Sequence, residues 1–373
     1  MKRTLLFSMM LMPIAFAQNS PPTPQDQPAP VPPAWSVGSI DFSGLIDGYY
    51  TANFNHPQSS TGTPGTNALY NFNVQANQFS LNMAKLTMSH DADPVGFRVD
   101  LGFGKAFDII HASEPSGSGG FLRNIEQAYV SVKSKKGLQA DFGQFVTAAG
   151  AEVIETKDNW NYSRSLLFAW AVPYYHFGLR TVMPVGNHFT GGVQLVNGWN
   201  NVEDNNSGKT LGFIGNFTSK KVTWSNDYYT GPENTATNKG WRNLYDTTLL
   251  LTPTDKASFY VNFDYGRNKN LDNSVATWKG VAGAARFQAN SWFALSPRIE
   301  WFDDEDGFAT GTVQQLKEFT ITAEAKAMQG VLARLEYRRD WSDQNFFQRG
   351  PAGAIGHQDT VSLGIVAFFG PKR

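Results

Sequence analysis

Charged side chains of both signs are concentrated in residues 142–180, between two predicted β-strands. A connector of this length far exceeds an ordinary hairpin loop and needs a role of its own. Charges of this kind can hydrogen-bond to a wall, or they can set the field that a solute meets in a narrow passage. The adjoining apolar run, residues 166–172, could anchor the connector. The charged residues in question are Glu152, Glu155, Lys157, Asp158 and Arg164.

A second set of charges alternates with apolar residues along other extended segments. Side chains two residues apart lie on the same face of a β-strand, so each group shares one face. The signs are mixed, which suits a hydrogen-bonded lattice that stiffens the face, and those nearest a passage would also act on solutes. The set comprises Arg98, Asp100, Arg298, Glu300, Glu324, Lys326, Arg334, Glu336 and Arg338.

Two motifs resemble ligand-binding loops only in part. Gly208-Lys209-Thr210 is similar to the end of a phosphate-binding loop, but Glu203 stands where a glycine is required and a strand follows where a helix is needed. Residues 303–307 are similar to a calcium loop, yet Phe302 and Val313 fall at ligand positions. We interpret the first as a loop-to-strand junction. The second is interpreted as a solvated acidic loop, at most a loose Ca²⁺ or Mg²⁺ bridge to lipopolysaccharide, and no protein metal site is predicted.

His176 is the histidine nearest to candidate nucleophiles, Ser163 and Ser165. Nucleophilic catalysis needs a serine beside a histidine that a third group holds, and no Gly-x-Ser-x-Gly motif lies nearby. We therefore interpret His176 as a polar residue on the same strand face as Arg180, and predict no catalytic residue. A hydrolase remains the alternative in the enzyme class.

The elements that must position these residues are β-strands. In residues 96–104, every second residue is apolar, and the residues between them are Gly, Arg, Asp, Gly and Gly. A repeat of two residues, with each set called a parity below, is typical of a β-strand. The same period predicts about sixteen strands between Ile40 and Phe369. The apolar face needs a hydrophobic medium, either a second sheet in a soluble sandwich or lipid around a barrel.

The connectors decide between a sandwich and a barrel. Short turns, such as residues 91–94, 134–137 and 219–221, alternate with long Gly/Asn/Ser/Asp-rich loops. Outer-membrane barrels have this asymmetry, with short periplasmic turns and long outer loops. We predict an all-β, transmembrane antiparallel up-and-down barrel. A bore of about sixteen strands leaks metabolites unless it is narrowed, so residues 147–173 are predicted to fold inward, with an outer loop packed on itself as the alternative.

The amino terminus and the composition indicate an exported protein. Residues 1–17 have the basic start, apolar run and Ala-Phe-Ala ending of a signal peptide. Residues 18–36 are Pro-rich and predict an extended periplasmic linker, which leaves 37–373 for the barrel. There is no cysteine, charged residues are only 17%, and the mean hydropathy of −0.34 argues against a helical membrane protein. The net charge of −1 argues against nucleic-acid binding.

Six segments resemble a known family. They are ADPVGFRVDLGFG (92–104), AEVIETKDNWNYSRSLLF (151–168), VNGWNNVEDNNSGKT (196–210), LTPTDK (251–256), ALSPRIEWFDDEDGF (294–308) and ARLEYRRDWS (333–342). They are similar to the β-barrel porins of the OmpL-like type over nearly everything after Ile40. The resemblance implies an outer-membrane pore and transfers no individual residue roles.

Together these observations predict a porin for passive diffusion of small hydrophilic solutes, with no cofactor. Its expected location is the outer membrane, among lipid and lipopolysaccharide. A homo-oligomer and a peptidoglycan contact through the linker are further expectations about partners. The alternatives are a barrel-borne surface hydrolase and a non-conducting structural anchor whose bore is filled.

Overall fold

A closed ring of β-strands makes up most of the chain. The structure, a computed structural model, describes residues 36–37, 40–59, 61–114 and 122–371. The predicted signal peptide (1–17) and all but the last residue of the predicted linker (18–36) lie outside these residues. The strands of the ring are β1 (Ile40–Asn53), β2 (Phe79–His90), β3 (Val95–Phe103), β4 (Ile125–Lys133), β5 (Gln139–Val146), β6 (Tyr175–Val185), β7 (Phe189–Val196), β8 (Thr210–Thr218), β9 (Val222–Pro232), β10 (Trp241–Thr254), β11 (Ala257–Lys269), β12 (Val275–Gln288), β13 (Phe293–Asp304), β14 (Gln314–Met328), β15 (Val331–Ser342) and β16 (His357–Phe369).

The strands follow one another around the ring in chain order, and neighbours are antiparallel. The last strand, β16, pairs with the first, for example Leu363 with Tyr50. Midway round, β8 pairs with β9, for example Phe213 with Tyr228. Because the ring closes, these strands leave no free edge, which a sheet in lipid requires. The predicted antiparallel barrel of sixteen strands is confirmed.

Side chains alternate between two environments along each strand, as β11 illustrates. Ser258, Asn262 and Asp264 are buried, whereas Phe259 and Val261 are exposed. A soluble sandwich buries its apolar face. The reversed order is that of a transmembrane barrel, whose apolar face meets lipid and whose polar face lines the interior.

Connectors are short at one end of the barrel and mostly long at the other. The short turns lie where the sequence predicts them, and Gly330 closes one of them with a φ of 79°, a conformation that favours glycine. The connector between β11 and β12, one of the long loops that the alternation of connectors predicts, is instead a tight turn of residues 270–274. The reason is that β11 and β12 remain paired as far as Lys269 and Val275.

Short pieces of secondary structure lie outside the ring strands. They are the helices α1 (Lys105–Ile110) and α2 (Leu166–Trp170), the 3₁₀ turns Leu122–Asn124 and Thr156–Asp158, a two-residue strand Ser36–Val37 paired with β1, and a hairpin of Phe347–Arg349 with Gly353–Ile355. None of the helices in the described ranges is long and apolar enough to cross a membrane.

The acidic stretch at 303–307 is more ordered than the solvated loop that the sequence predicts. Asp304 is fully buried, and its carboxylate accepts hydrogen bonds from the N–H groups of Ala309 (3.1 Å) and Thr310 (2.7 Å). Glu305 pairs with Lys279 of β12. These carboxylates therefore shape their own connector.

A charge on the exposed face of a ring strand should oppose insertion into lipid. Val261 is 50% exposed, and we expect Val261→Arg to lower the free energy of unfolding in vesicles by roughly 2–4 kcal/mol if it lies near mid-bilayer. Val261→Ala is the matched control, since it removes apolar area without adding charge. Urea titration of protein refolded into phospholipid vesicles measures both, and equal stability of the two variants would contradict the assignment of this face to lipid.

Candidate functional site

The connector between β5 and β6, residues 147–174, holds all five residues of the predicted constriction, and it is called the long connector below. Leu166 and Leu167 of α2 pack against Trp278 and Phe302 on the inner parity of β12 and β13. A Cβ at Gly280 would lie only 2.5 Å from Leu167 Cδ2. The long connector therefore packs closely on the wall at this glycine, and a larger residue there would force the Leu167 side chain to move.

Arg164 organises the long connector from within. Its guanidinium donates hydrogen bonds to the carbonyl oxygens of Val153 (2.9 Å), Tyr162 (2.7 Å) and Ile154 (2.5 Å). Burial lowers the pKa of Arg164, and the nearby Glu152 carboxylate opposes that effect. Arg164, predicted to line a passage, thus fixes the backbone of the connector.

The start of α2 is tied to the barrel wall. Ser165 Oγ accepts a hydrogen bond from the N–H of Phe168 (3.0 Å) and caps the helix. The Glu300 carboxylate, on β13, accepts one from the N–H of Leu166 (2.8 Å). Glu152 accepts one from the N–H of Ser165 (2.6 Å). Carboxylates from both the wall and the connector therefore satisfy N–H groups that the helix leaves free.

Arg298 of β13 joins the long connector to the wall. Its guanidinium pairs with Glu152 (2.8 Å) and donates to the carbonyl oxygen of Ser163 (2.9 Å). On the wall it pairs with Glu300 (3.0 Å) and Glu318 (3.1 Å). Charge-assisted bonds of this kind are shorter and stronger than neutral ones, so Arg298 is a principal attachment point.

Three charged residues of β15 bind the backbone of the long connector. The Glu336 carboxylate accepts hydrogen bonds from N–H groups of the connector. The guanidinium groups of Arg334 and Arg338 donate hydrogen bonds to its carbonyl oxygens. The bonds are Glu336 with Tyr162 (2.6 Å) and Ser163 (2.9 Å), Arg334 with Thr156 (2.5 Å) and Asn161 (3.2 Å), and Arg338 with Arg164 (2.7 Å).

Lys85 of β2 is a further anchor. Its ammonium pairs with Asp100 of β3 (3.0 Å), Glu126 of β4 (2.9 Å) and Glu155 of the long connector. Burial by itself would raise the pKa of Glu155, but the Lys85 and Lys157 ammonium groups outweigh it and lower that pKa to about 2. Glu155 is therefore ionised at neutral pH and bound to the wall.

The same three carboxylates have the spacing of a metal site. Ligand atoms of Asp100, Glu126 and Glu155 lie within 4.8 Å of one another, and within the described ranges they form the one such group found. Lys85 bonds to all three. The positive charge that a metal ion would bring is already supplied by the lysine, so the residues fit an ion-pair network.

Most of the remaining predicted site residues are less enclosed, although Glu324 is buried. Lys157 and Asp158 pair with each other at 2.6 Å, and their side chains are 25% and 23% exposed. Arg98 pairs with Asp100 at 3.0 Å. Glu324 pairs with Arg334 at 2.6 Å, and Lys326, near the end of β14, is half-buried. Lys157 and Asp158 are thus the predicted constriction residues most open to solvent.

The contacts of His176 do not form a hydrolytic site. Its ring nitrogens lie 3.3 Å from Thr147 Oγ1 and 2.9 Å from the carbonyl oxygen of Gly198, and the ring stacks on Tyr229 at 4.9 Å. Ser165 caps α2. The structure therefore does not bring His176 together with the serines that the sequence places nearest to it.

Sequence reasoning missed two participants in the site. Lys85 was not selected, although it alternates with apolar neighbours in the same way as the predicted wall residues. Also missed was the connector between β1 and β2, residues 54–78, called the first outer loop below. Its Leu69 and Phe72 are buried, and the Trp170 indole donates to the Leu69 carbonyl oxygen (3.2 Å). Apolar residues within an Asn-rich loop were the available signal.

Comparison with known proteins gives one family and several similar folds. The family model described as "Putative beta-barrel porin-2, OmpL-like" matches residues 39–369. None of the curated proteins matches the chain.

Three solved structures illustrate the similar folds. OmpT of Vibrio cholerae in a trimer form is 12% identical, with a TM-score of 0.58 over 90% of this chain and 100% of that one. The anion-selective porin from Comamonas acidovorans is 12% identical, with a TM-score of 0.59 over 89% and 99%. OmpF of Salmonella typhi in complex with daunomycin is 13% identical, with a TM-score of 0.59 over 88% and 97%. At these identities the likeness concerns the fold alone.

Proposed function

With residues 39–369 matched, the chain belongs to the OmpL-like putative beta-barrel porin-2 family, and on that premise we propose that it is an outer-membrane channel for passive diffusion of small hydrophilic solutes. The barrel is non-enzymatic and needs no cofactor, because diffusion down a gradient requires only a bore of suitable width and charge. Outer-membrane lipid and lipopolysaccharide surround it.

The long connector is the constriction in this proposal. The observation that carries it is the set of bonds between the connector and inner-parity residues of several strands, above all Arg298, Arg334 and Lys85. An outer loop packed only on itself would form no bonds with these charged residues of the wall. Lys157 and Asp158, partly exposed, would face the solute, while Glu152, Glu155 and Arg164 hold the connector in place.

Association between copies and the amino-terminal segments complete the proposal. The trimer form of the Vibrio cholerae protein with a similar fold supports a homo-oligomer here. Residues 1–17 would direct export and be removed, and residues 18–36 would act as a periplasmic spacer able to contact peptidoglycan.

A barrel that does not conduct at rest is the second candidate. Arg298, Arg334 and Arg338 are each only 1% exposed. Side chains lining an open aqueous bore would be wetter than this, so the burial favours a bore that is filled at the level of the long connector.

Recording in planar bilayers separates the two candidates. The purified full chain, added at nanomolar concentration in 1 M KCl, should give discrete steps of current, and liposome swelling should show a size limit for neutral sugars. Steps in the full chain support an open porin. Silence in the full chain, together with steps after the long connector is shortened, supports the closed barrel, and silence in both contradicts a channel.

A further inference from the structure

The first outer loop contains a segment whose two ends meet. Thr66 and Gln75 are antiparallel bridge partners, and the N–H of Asn67 donates to the carbonyl oxygen of Val74 (2.8 Å). Residues 67–74 therefore form a closed excursion from the loop, called the inner arm below. An excursion of this kind in an exposed loop would normally be solvated, but most of the inner arm is buried.

One side of the inner arm is bound to the barrel wall. The Gln358 side chain, on β16, accepts a hydrogen bond from the N–H of Ala68 (3.1 Å) and donates one to the carbonyl oxygen of Ala68 (3.1 Å). The Tyr70 hydroxyl bonds to Thr360 of β16. The Arg338 guanidinium lies over the Tyr70 ring, 4.3 Å from its centroid. Tyr70 thereby covers an arginine that also binds the long connector.

The other side of the inner arm rests on the long connector. The Phe72 ring meets that of Phe168 edge-on, with centroids 5.8 Å apart, and the Arg164 guanidinium lies 5.2 Å from the Phe72 centroid. The Tyr174 hydroxyl donates to Asn71 Oδ1 (2.9 Å). The inner arm is thus wedged between β15, β16 and the long connector.

Two polar groups of the inner arm lack hydrogen-bond partners in its buried position, which is called its seat below. The side-chain amide nitrogens of Asn71 and Asn73 are buried without a hydrogen-bond partner among the described residues. A buried donor left without a hydrogen-bond partner destabilises the seated position of the arm. Moving the arm outward would hydrate both amides, and this gain offsets part of the free energy needed to separate the apolar and aromatic groups of the arm from their neighbours.

We propose that the inner arm is a gate that lies against the long connector. The arm must move away from this position before a solute reaches the constriction. This rests on the proposed channel function and identifies Tyr70 and Phe72 as the residues that close it. Because the arm covers Arg338 of the wall and contacts Arg164 of the long connector, its displacement would expose these two arginines to a solute.

The bridge between Thr66 and Gln75 allows the inner arm to be removed cleanly. Replacing residues 67–74 with an Asn-Gly turn joins two positions that already pair, and Asn-Gly favours such a turn. We expect a folded barrel whose single-channel conductance rises about twofold or more. The matched control applies the same turn to residues 349–353, which lie between the partners Gln348 and Ala354, and its conductance should equal that of the parent.

A thiol reporter tests the gate without relying on current. The chain has no cysteine, and Thr360, which contacts Tyr70, is 1% exposed. Thr360→Cys should react with a water-soluble maleimide slowly in the full chain and at least about tenfold faster without the inner arm, since thiol reactivity requires access. Labelling that is equally fast in both, with unchanged conductance, would overturn the proposal.

A weakened seat distinguishes a movable gate from a fixed cover. The Phe72 ring meets that of Phe168 with centroids 5.8 Å apart, and Phe72→Ala removes this contact while the arm stays in the chain. If the arm moves, Phe72→Ala should speed the labelling of Thr360→Cys by about tenfold, because the loss of a buried aromatic ring favours the displaced arm. Labelling as slow as in the parent would show that the arm does not move. A parent that never conducts, even with a shortened long connector, refutes the channel function, whereas the labelling still decides whether the arm opens.

Discussion

Replacing residues 151–163 with a short Gly-Ser turn should leave a folded barrel and raise its single-channel conductance several-fold. The removed segment contains the carbonyl and N–H groups bound by Arg298, Arg334 and Glu336. The ring strands pair independently of that segment, so the barrel should assemble without it. Recording in planar bilayers at matched protein amounts measures the change.

The same variant should become more selective for anions. It loses three carboxylates, Glu152, Glu155 and Asp158, and one ammonium, Lys157, while the arginines of β13 and β15 remain. Reversal potentials in a KCl gradient measure this shift. The single substitution Asp158→Asn should move the potential in the same direction by a smaller amount. A shortened barrel that folds, conducts as the parent does and keeps its ion preference would place the long connector outside the bore.

Lys85→Met should be strongly destabilising. It would leave Asp100, Glu126 and Glu155 facing one another in a buried cluster without the ammonium that binds all three. Removing one partner of a buried ion pair typically costs about 3–5 kcal/mol, because the remaining charge is uncompensated. Urea-induced unfolding in vesicles, followed by tryptophan fluorescence, gives the loss of free energy of unfolding.

A matched control uses the same substitution at an exposed pair. Lys105 lies 3.5 Å from Asp108, with side chains 41% and 64% exposed, and Lys105→Met should cost no more than about 1 kcal/mol. Adding Glu126→Gln to Lys85→Met should recover part of the loss, since it removes one of the uncompensated carboxylates. Equal stability of the two single variants would show that the cluster around Lys85 contributes little.

The architecture was predictable from local sequence because a strand records its environment in every second residue. All but the last of residues 96–104 lie in β3, and the same period around the chain gives the ring of sixteen strands. The contrast of short and long connectors then distinguishes a lipid-facing barrel from a sandwich. Residues 270–274 were misjudged because a period reading cannot tell how far two strands stay paired.

The sequence predicted the roles of the charged residues less completely than it predicted the fold. Parity selects side chains that share a face, so it found Arg298, Arg334 and Arg338. It could not say that their guanidinium groups would bind connector backbone, because a backbone carbonyl has no signature in the sequence. For the same reason Arg164 was placed in a passage, whereas its bonds are to the carbonyl oxygens of its own connector.

By itself, the sequence determined a barrel of about sixteen strands and its inner and outer parities, and it predicted the long connector as the segment that narrows the bore. Only the tertiary structure decided which inner groups meet. Register places Asp227, Asp246 and Asp264 side by side on β9, β10 and β11, and ring closure brings Gln358 beside the inner arm. Local periodicity fixes the direction of each side chain, but its neighbours depend on strand offsets and loop paths, which are set by contacts between residues hundreds of positions apart.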